Sequence, residues 1–168
     1  MRRTIEVLND MVGAGVVKDY AIGGAVALAF YVEPQETADL DIYVVFPEST
    51  GSLTQLTPAY SYLEQRGHHP HGEHVSIHGV LVQFLGTDEL TEDAIVHAEA
   101  RDFYGVPTKV LSKEHLAVIM VRLQRPKDRA RLPSLLELPE FDRARFEVLL
   151  DRFDLQGKWS ILHRRLYE

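Results

Sequence analysis

Tyr20-Ala-Ile-Gly-Gly-Ala-Val-Ala-Leu-Ala-Phe-Tyr-Val-Glu-Pro-Gln-Glu-Thr-Ala-Asp-Leu-Asp-Ile-Tyr-Val-Val-Phe46 is the stretch whose reading decides the fold. Its spacing predicts a short strand over 18–22, a Gly23-Gly24 turn, and an apolar helix over 25–32. A polar loop over 33–38 and a strand over 40–46, stopped by Pro47, complete it. Asp39 and Asp41 are two residues apart, so on a strand they share one face, while Leu40, Ile42 and Val44 take the other. Two like charges side by side repel, and nothing in a strand of Val, Ile, Tyr and Phe compensates them unless a cation lies between. A hard divalent ion such as Mg2+ or Mn2+ is the simplest occupant.

Gly23 and Gly24 let backbone approach a ligand closely and open the next helix. That helix is expected to run about 12 Å. The loop after it reaches up to about 20 Å when extended. The chain can therefore return and set Asp39 and Asp41 beside the helix start, which makes a place for a metal-bound polyphosphate.

Gly23-Gly24 followed by Thr37-Ala-Asp-Leu-Asp-Ile-Tyr-Val44 resembles the signature of the nucleotidyltransferase superfamily (polymerase-beta-like). Downstream, Val106-Pro-Thr-Lys-Val-Leu-Ser-Lys-Glu-His-Leu116, Arg125-Pro-Lys-Asp128 and the stretch from Phe141-Asp142 to Lys158-Trp159 resemble small bacterial members of it. Some of those are toxins of toxin–antitoxin pairs. The likeness covers nearly the whole chain. It implies an α/β (α+β) nucleotidyltransferase fold, a mixed β-sheet flanked by helices with a C-terminal helical portion. It also implies transfer of a nucleoside monophosphate from a nucleoside triphosphate to a hydroxyl acceptor, with Mg2+ or Mn2+ on Asp39 and Asp41. By the same resemblance Gly23, Gly24, Thr37 and Lys127 are expected to bind nucleotide, with Gln83, Asp128 and Arg125 auxiliary. As a loop threonine, Thr37 has an ordinary capping role open to it as well.

The resemblance also exposes a departure. The family's third carboxylate sits on a later strand, and here the matching stretch is Val80-Leu-Val-Gln-Phe-Leu85, with Gln83 at that point. Gln binds metal through its carbonyl oxygen but is a poor proton acceptor. Glu73, Glu114 and Asp128 are the possible substitutes. Met120 and Arg131 stand where toxin-like relatives would carry Lys and Asp. A protein that binds nucleotide without turning it over, as a sensor, a regulator or half of a toxin–antitoxin pair, is the alternative reading.

The chain has 168 residues, 45% of them hydrophobic and 26% charged, ordinary globular material expected to form one domain. Within it, residues 1–111 are expected to form the α/β core and 112–168 the helical portion. No apolar run approaches the roughly 18 residues of a membrane span, and the first ten residues lack a secretory pattern. There are no cysteines, which excludes disulfides, thiolate catalysis and Cys–zinc sites. A cytoplasmic setting is expected. The net charge of −7 gives no general help in gripping nucleic acid and favours a small phosphorylated ligand.

Two clusters remain. Arg122, Arg125, Lys127, Arg129 and Arg131 read either as a phosphate-attracting patch or as a solvated helix face. His68, His69, His71, His74 and His78 read as an exposed polar loop, with a metal-dependent hydrolase built on them as the outlying alternative. Helices are expected over 5–12, around 53–63 and over 91–101. Strands follow over 75–77, 80–85 and 108–111, and helices over 112–124, 127–137, 141–153 and 158–166.

Overall fold

The computed structural model describes residues 1–34, 36–47 and 56–167. The chain divides into two compact units, one of residues Met1–Ala27 and Gln35–Leu111, the other of Leu28–Pro34 and Ser112–Glu168.

The first unit opens with α1 (Arg2–Gly13), whose Ile5, Leu8 and Met11 recur at helical spacing and are buried. β1 (Asp19–Ile22) leads through Gly23 into α2 (Gly24–Leu28), and β2 (Asp39–Val45) follows. α3 (Leu56–Glu64) precedes β3 (Pro70–His71), β4 (His74–Ile77) and β5 (Val80–Leu85). The Leu53 end of the expected α3 lies outside the described residues. α4 (Glu89–Val96), β6 (Glu99–Phe103) and β7 (Val106–Val110) complete the unit.

The strands form one seven-stranded sheet in the order β3-β4-β5-β2-β1-β7-β6. It is mixed: β2 runs parallel to β5 and β1 parallel to β7, while the other neighbours are antiparallel. β2 alternates between half-buried and buried positions along its length, with Leu40, Ile42 and Val44 inside. A strand with one solvated face and one packed face gives this period of two. α1 packs on β1 and β7, and α4 on β1 and β2. Tyr20 ties the layers together: its buried hydroxyl donates to Asn9 Oδ1 of α1 at 2.8 Å and lies 3.0 Å from Thr108 Oγ1 of β7. Burial pushes the Tyr20 phenol up.

Three expectations need correcting. The helix after the Gly-Gly turn is five residues, Gly24–Leu28, and does not reach Val32. Aromatic and β-branched Phe30-Tyr31-Val32 before Pro34 are poor helix continuers, and the chain closes there in a turn with Tyr31 N–H on the Leu28 carbonyl at 2.9 Å. The helix expected over 91–101 begins earlier and ends at Val96. Asp88 caps it, accepting from the Thr91 N–H at 3.0 Å while the Thr91 hydroxyl accepts from the Asp88 N–H at 2.8 Å. The rest of that segment becomes β6, which turns into β7 through Tyr104 and Gly105, both at positive φ (51° and 84°) as a tight hairpin turn needs. Finally, the histidine segment is a hairpin rather than a loop, with His71 on β3 and His74 on β4.

The second unit is helical: α5 (Lys113–Leu123), α6 (Pro126–Leu136), α7 (Arg143–Arg152) and α8 (Gln156–Tyr167). α5 packs against the other three and is buried from Glu114 to Val121. Ser112 caps its start, accepting from the His115 N–H at 3.3 Å, and Gln124 ends it in the left-handed region. Phe141, Phe146 and Trp159 stack edge to face at 5.5 and 5.3 Å and knit α7 to α8.

Candidate functional site

The two aspartates stand on the half-exposed face of β2. Two features fix them there. Thr37 donates to Asp39 Oδ1 at 3.2 Å and reaches its carbonyl at 3.3 Å, so the loop threonine braces the first carboxylate. The Gly-Gly turn seats the second. Gly23 N–H donates to the Asp41 carbonyl at 2.9 Å, which joins the turn to β2.

What the glycines leave out matters as much. A Cβ on Gly24 would stand 1.8 Å from Asp41 Oδ2 and 2.8 Å from its Cγ, so the carboxylate occupies the space a side chain would take. Gly24 also sits at φ +57°, where an L side chain is strained. A Cβ on Gly23 would stand 2.4 Å from the Tyr43 ring. The first glycine makes room for an aromatic of β2 and the second for an acid of β2.

β5 completes the face. In the parallel β2–β5 register Asp39 is beside Leu81, and Asp41 is beside Gln83. Cα partners on adjacent strands send side chains to the same face, so the neutral amide of Gln83 stands next to Asp41. β4 brings the next group. Its polar face carries His74, whose Nε2 lies 3.3 Å from Asp39 Oδ2 with both side chains about a quarter exposed (25% and 29%).

The acids weighed as replacements for a third carboxylate have other surroundings. Glu73 is exposed at the β3–β4 turn. Asp128 and Glu114 belong to the second unit and are buried there. Asp128 accepts from Arg125 three times: Nε at 2.7 Å, a terminal guanidinium nitrogen at 3.0 Å and the backbone N–H at 3.0 Å. This closes the first turn of α6. Glu114 accepts from the Asp142 N–H at 3.0 Å and so fastens α5 to the start of α7. Lys127 is exposed on the first turn of α6; Met120 is buried in α5, and Arg131 is half-buried on α6.

Reading along the chain put His74 in a separate histidine cluster and missed its place beside Asp39. Its signal is the alternation His74-Val75-Ser76-Ile77, which puts His74 and Ser76 on the polar face of a strand. That face meets the aspartates only because β5 lies between β4 and β2.

Comparison with known structures places this architecture. The chain is similar to ANT(2'')-Ia, solved in complex with adenylyl-2''-tobramycin, with a TM-score of 0.54 over 92% of this chain and 98% of that one, at 16% identity. It is similar also to an antigenic nucleotidyltransferase-like protein from Paracoccidioides brasiliensis, with a TM-score of 0.55 over 94% and 89% of the two chains, at 14% identity. No family model and no curated protein matches the sequence. At such identities the likeness establishes the fold: a mixed sheet and helices arranged as in nucleotidyltransferases.

Proposed function

We propose that this protein is a metal-dependent nucleotidyltransferase that moves a nucleoside monophosphate from a nucleoside triphosphate to a hydroxyl acceptor and releases pyrophosphate. One observation carries the reading: on this fold, Asp39 and Asp41 share the half-exposed face of β2, with Asp41 nested where a Cβ of Gly24 would be. The donor set suits a divalent ion, since two carboxylates balance its charge. Bound there, such an ion neutralises phosphate oxygens and favours the alkoxide form of an acceptor hydroxyl. Asp39 and Asp41 would hold it. Thr37 keeps the Asp39 carboxylate aimed, and the Gly23–Gly24 turn keeps that of Asp41 in place.

In the transfer, the acceptor oxygen forms a bond to the α-phosphorus as the bond to the β-phosphate oxygen breaks, and pyrophosphate carries away the electron pair. Gln83 stands beside Asp41 as a hydrogen-bonding amide and takes no proton. The acceptor's proton therefore goes to Asp41 or to water.

Gln83 also supports a second reading, a protein that binds nucleotide and has lost turnover, acting as a regulator or with a protein partner such as an antitoxin. The discriminating experiment is pyrophosphate release from each nucleoside triphosphate with Mg2+ or Mn2+, against a panel of hydroxyl acceptors. Aminoglycosides come first, because ANT(2'')-Ia was solved with an adenylylated one. Acceptor-dependent release abolished by Asp41→Asn supports the transferase. Metal-dependent nucleotide binding without release on any acceptor supports the second reading.

A further inference from the structure

β6 (Glu99–Phe103) is one edge of the sheet and β3 is the other. The two edges are finished differently. β3 is two residues long and includes Pro70, so it offers little to pair with. β6 is five residues long, has no proline, and pairs with β7 in unbroken register without a bulge. Among the described residues no strand lies on its outer side.

The register with β7 fixes which backbone groups of β6 face outward. Antiparallel neighbours alternate between pairs that exchange hydrogen bonds and pairs that do not. Pro107, opposite Asp102, has no N–H, so that pair is of the second kind, and by alternation so is Ala100 with Lys109. The N–H and C=O groups of Ala100 and Asp102 therefore point away from β7, and both residues are exposed. Glu99 and Arg101 share one face of the strand, and Ala100 and Asp102 the other. The Glu99 and Arg101 side chains form an ion pair yet stay about a third exposed (31% and 37%).

We propose that β6 is a docking edge for a second copy of this chain, paired antiparallel about a two-fold axis through Ala100. The order of charges selects both the partner and the register. With the axis at Ala100, that residue exchanges hydrogen bonds with its own counterpart, and two methyl groups meet where bulk would hold the strands apart. Glu99 of each copy then stands opposite Arg101 of the other. An axis at Arg101 sets two guanidinium groups against each other, and an axis at Glu99 or Asp102 does the same with two carboxylates. An edge of like charges repels every copy of itself, whereas this alternating edge is self-complementary.

The ends of the strand agree. Val96 and Tyr104 are the most exposed large apolar side chains among the described residues, at 75% and 81%. Each is four residues from Ala100, so the same axis carries the Tyr104 end of one copy to the Val96 end of the other. β7 and β1 separate β6 from β2, so pairing at this edge leaves the aspartate face open.

The test is sedimentation equilibrium of the whole protein across about 1 µM to 1 mM. A thermal melt checks that each variant is folded. Wild type is expected to pass from the mass of one chain to that of two, and Asp39→Asn to follow it. Ala100→Pro removes an outward N–H and no bond to β7, and is expected to weaken the dimer about tenfold or more. Glu99→Arg and Arg101→Glu should each abolish self-association, because every cross-copy pair becomes like-charged. An equimolar mixture of those two variants should regain the dimer, since each then meets opposite charges on the other, although neither chain has the internal Glu99–Arg101 pair. This arm stands even if Ala100→Pro fails to fold. A wild type that keeps the mass of one chain up to about 1 mM overturns the inference. So does a dimer indifferent to all three substitutions, or a mixture that stays monomeric.

Discussion

At the scale of single residues, Gly24 and Gln83 decide most. Gly24→Ala puts a methyl where the Asp41 carboxylate lies and forces an L residue to φ near +57°. The strain alone costs about 1–2 kcal/mol. We expect a modest loss of stability in a denaturant melt together with near-complete loss of metal-dependent nucleotide binding, because Asp41 has to rotate out of place. A variant as stable and as tightly binding as wild type would show that the nested carboxylate is not the one that binds. Gln83→Asp adds a third acid beside Asp41. Without metal it should lower the melting temperature through like-charge repulsion. With Mg2+ the loss should be recovered and pyrophosphate release should rise. Equal destabilisation with and without Mg2+ would place residue 83 outside the metal's reach.

At the scale of elements, the β3–β4 hairpin and the first turn of α6 make separate predictions. His68, at the entry to the hairpin, is held below the ordinary imidazole value first by burial and then by His78 and His69. A histidine whose folded value is depressed leaves the unfolded chain binding more protons in the window between the two values. Its contribution to stability is therefore fully present above the unfolded value of about 6.5 and is lost as pH falls through the lower folded one. The unfolding free energy should drop on acidification below about pH 6.5, and His68→Gln should flatten that slope. An unchanged slope in the variant would assign the pH dependence to other groups. In α6, Asp128 takes three hydrogen bonds from Arg125 and is buried. Asp128→Ala should destabilise by about 1–3 kcal/mol, seen as a shift in the urea midpoint. Its metal affinity should match that of wild type, which a role as the missing acid would not allow.

At the scale of the whole molecule, ligand binding should read out as stability. A nucleoside triphosphate with Mn2+ at about 100 times its dissociation constant adds about 2.7 kcal/mol. For a chain of 168 residues that is a rise of about 5–10 °C in melting temperature. Asp39→Asn should remove the shift, and so should omission of the metal. A shift that survives both would mean the nucleotide binds elsewhere. The acidic excess of the chain lies in the first unit, while the second carries a slight basic excess. Triphosphate binding to the aspartate face without a cation is therefore electrostatically opposed, and the metal requirement should be strict. Among the described residues no helix is long and apolar enough to cross a membrane.

What the sequence determined by itself is what rests on local periodicity. The period of two put Asp39 and Asp41 on one face and Leu40, Ile42 and Val44 on the other, and β2 shows that division because each pleat alternates whatever its neighbours are. The fold class was legible through a resemblance to a known superfamily, carried by motifs that are themselves local. Gly-Gly, a short apolar segment and a carboxylate-headed strand are local features, as are the Ser112 cap of α5 and the Pro126 start of α6. Only the tertiary structure decided what depends on strand order. β6 is charged and edge-lying and exists as a strand through its pairing with β7, so its residues read as the tail of a helix. Gln83 meets Asp41, and His74 meets Asp39, because β5 and β4 lie beside β2 in that order. No spacing along the chain encodes such cross-strand neighbours: residues 35 apart in sequence come within 3.3 Å only when the hydrogen-bonded ladder sets their register.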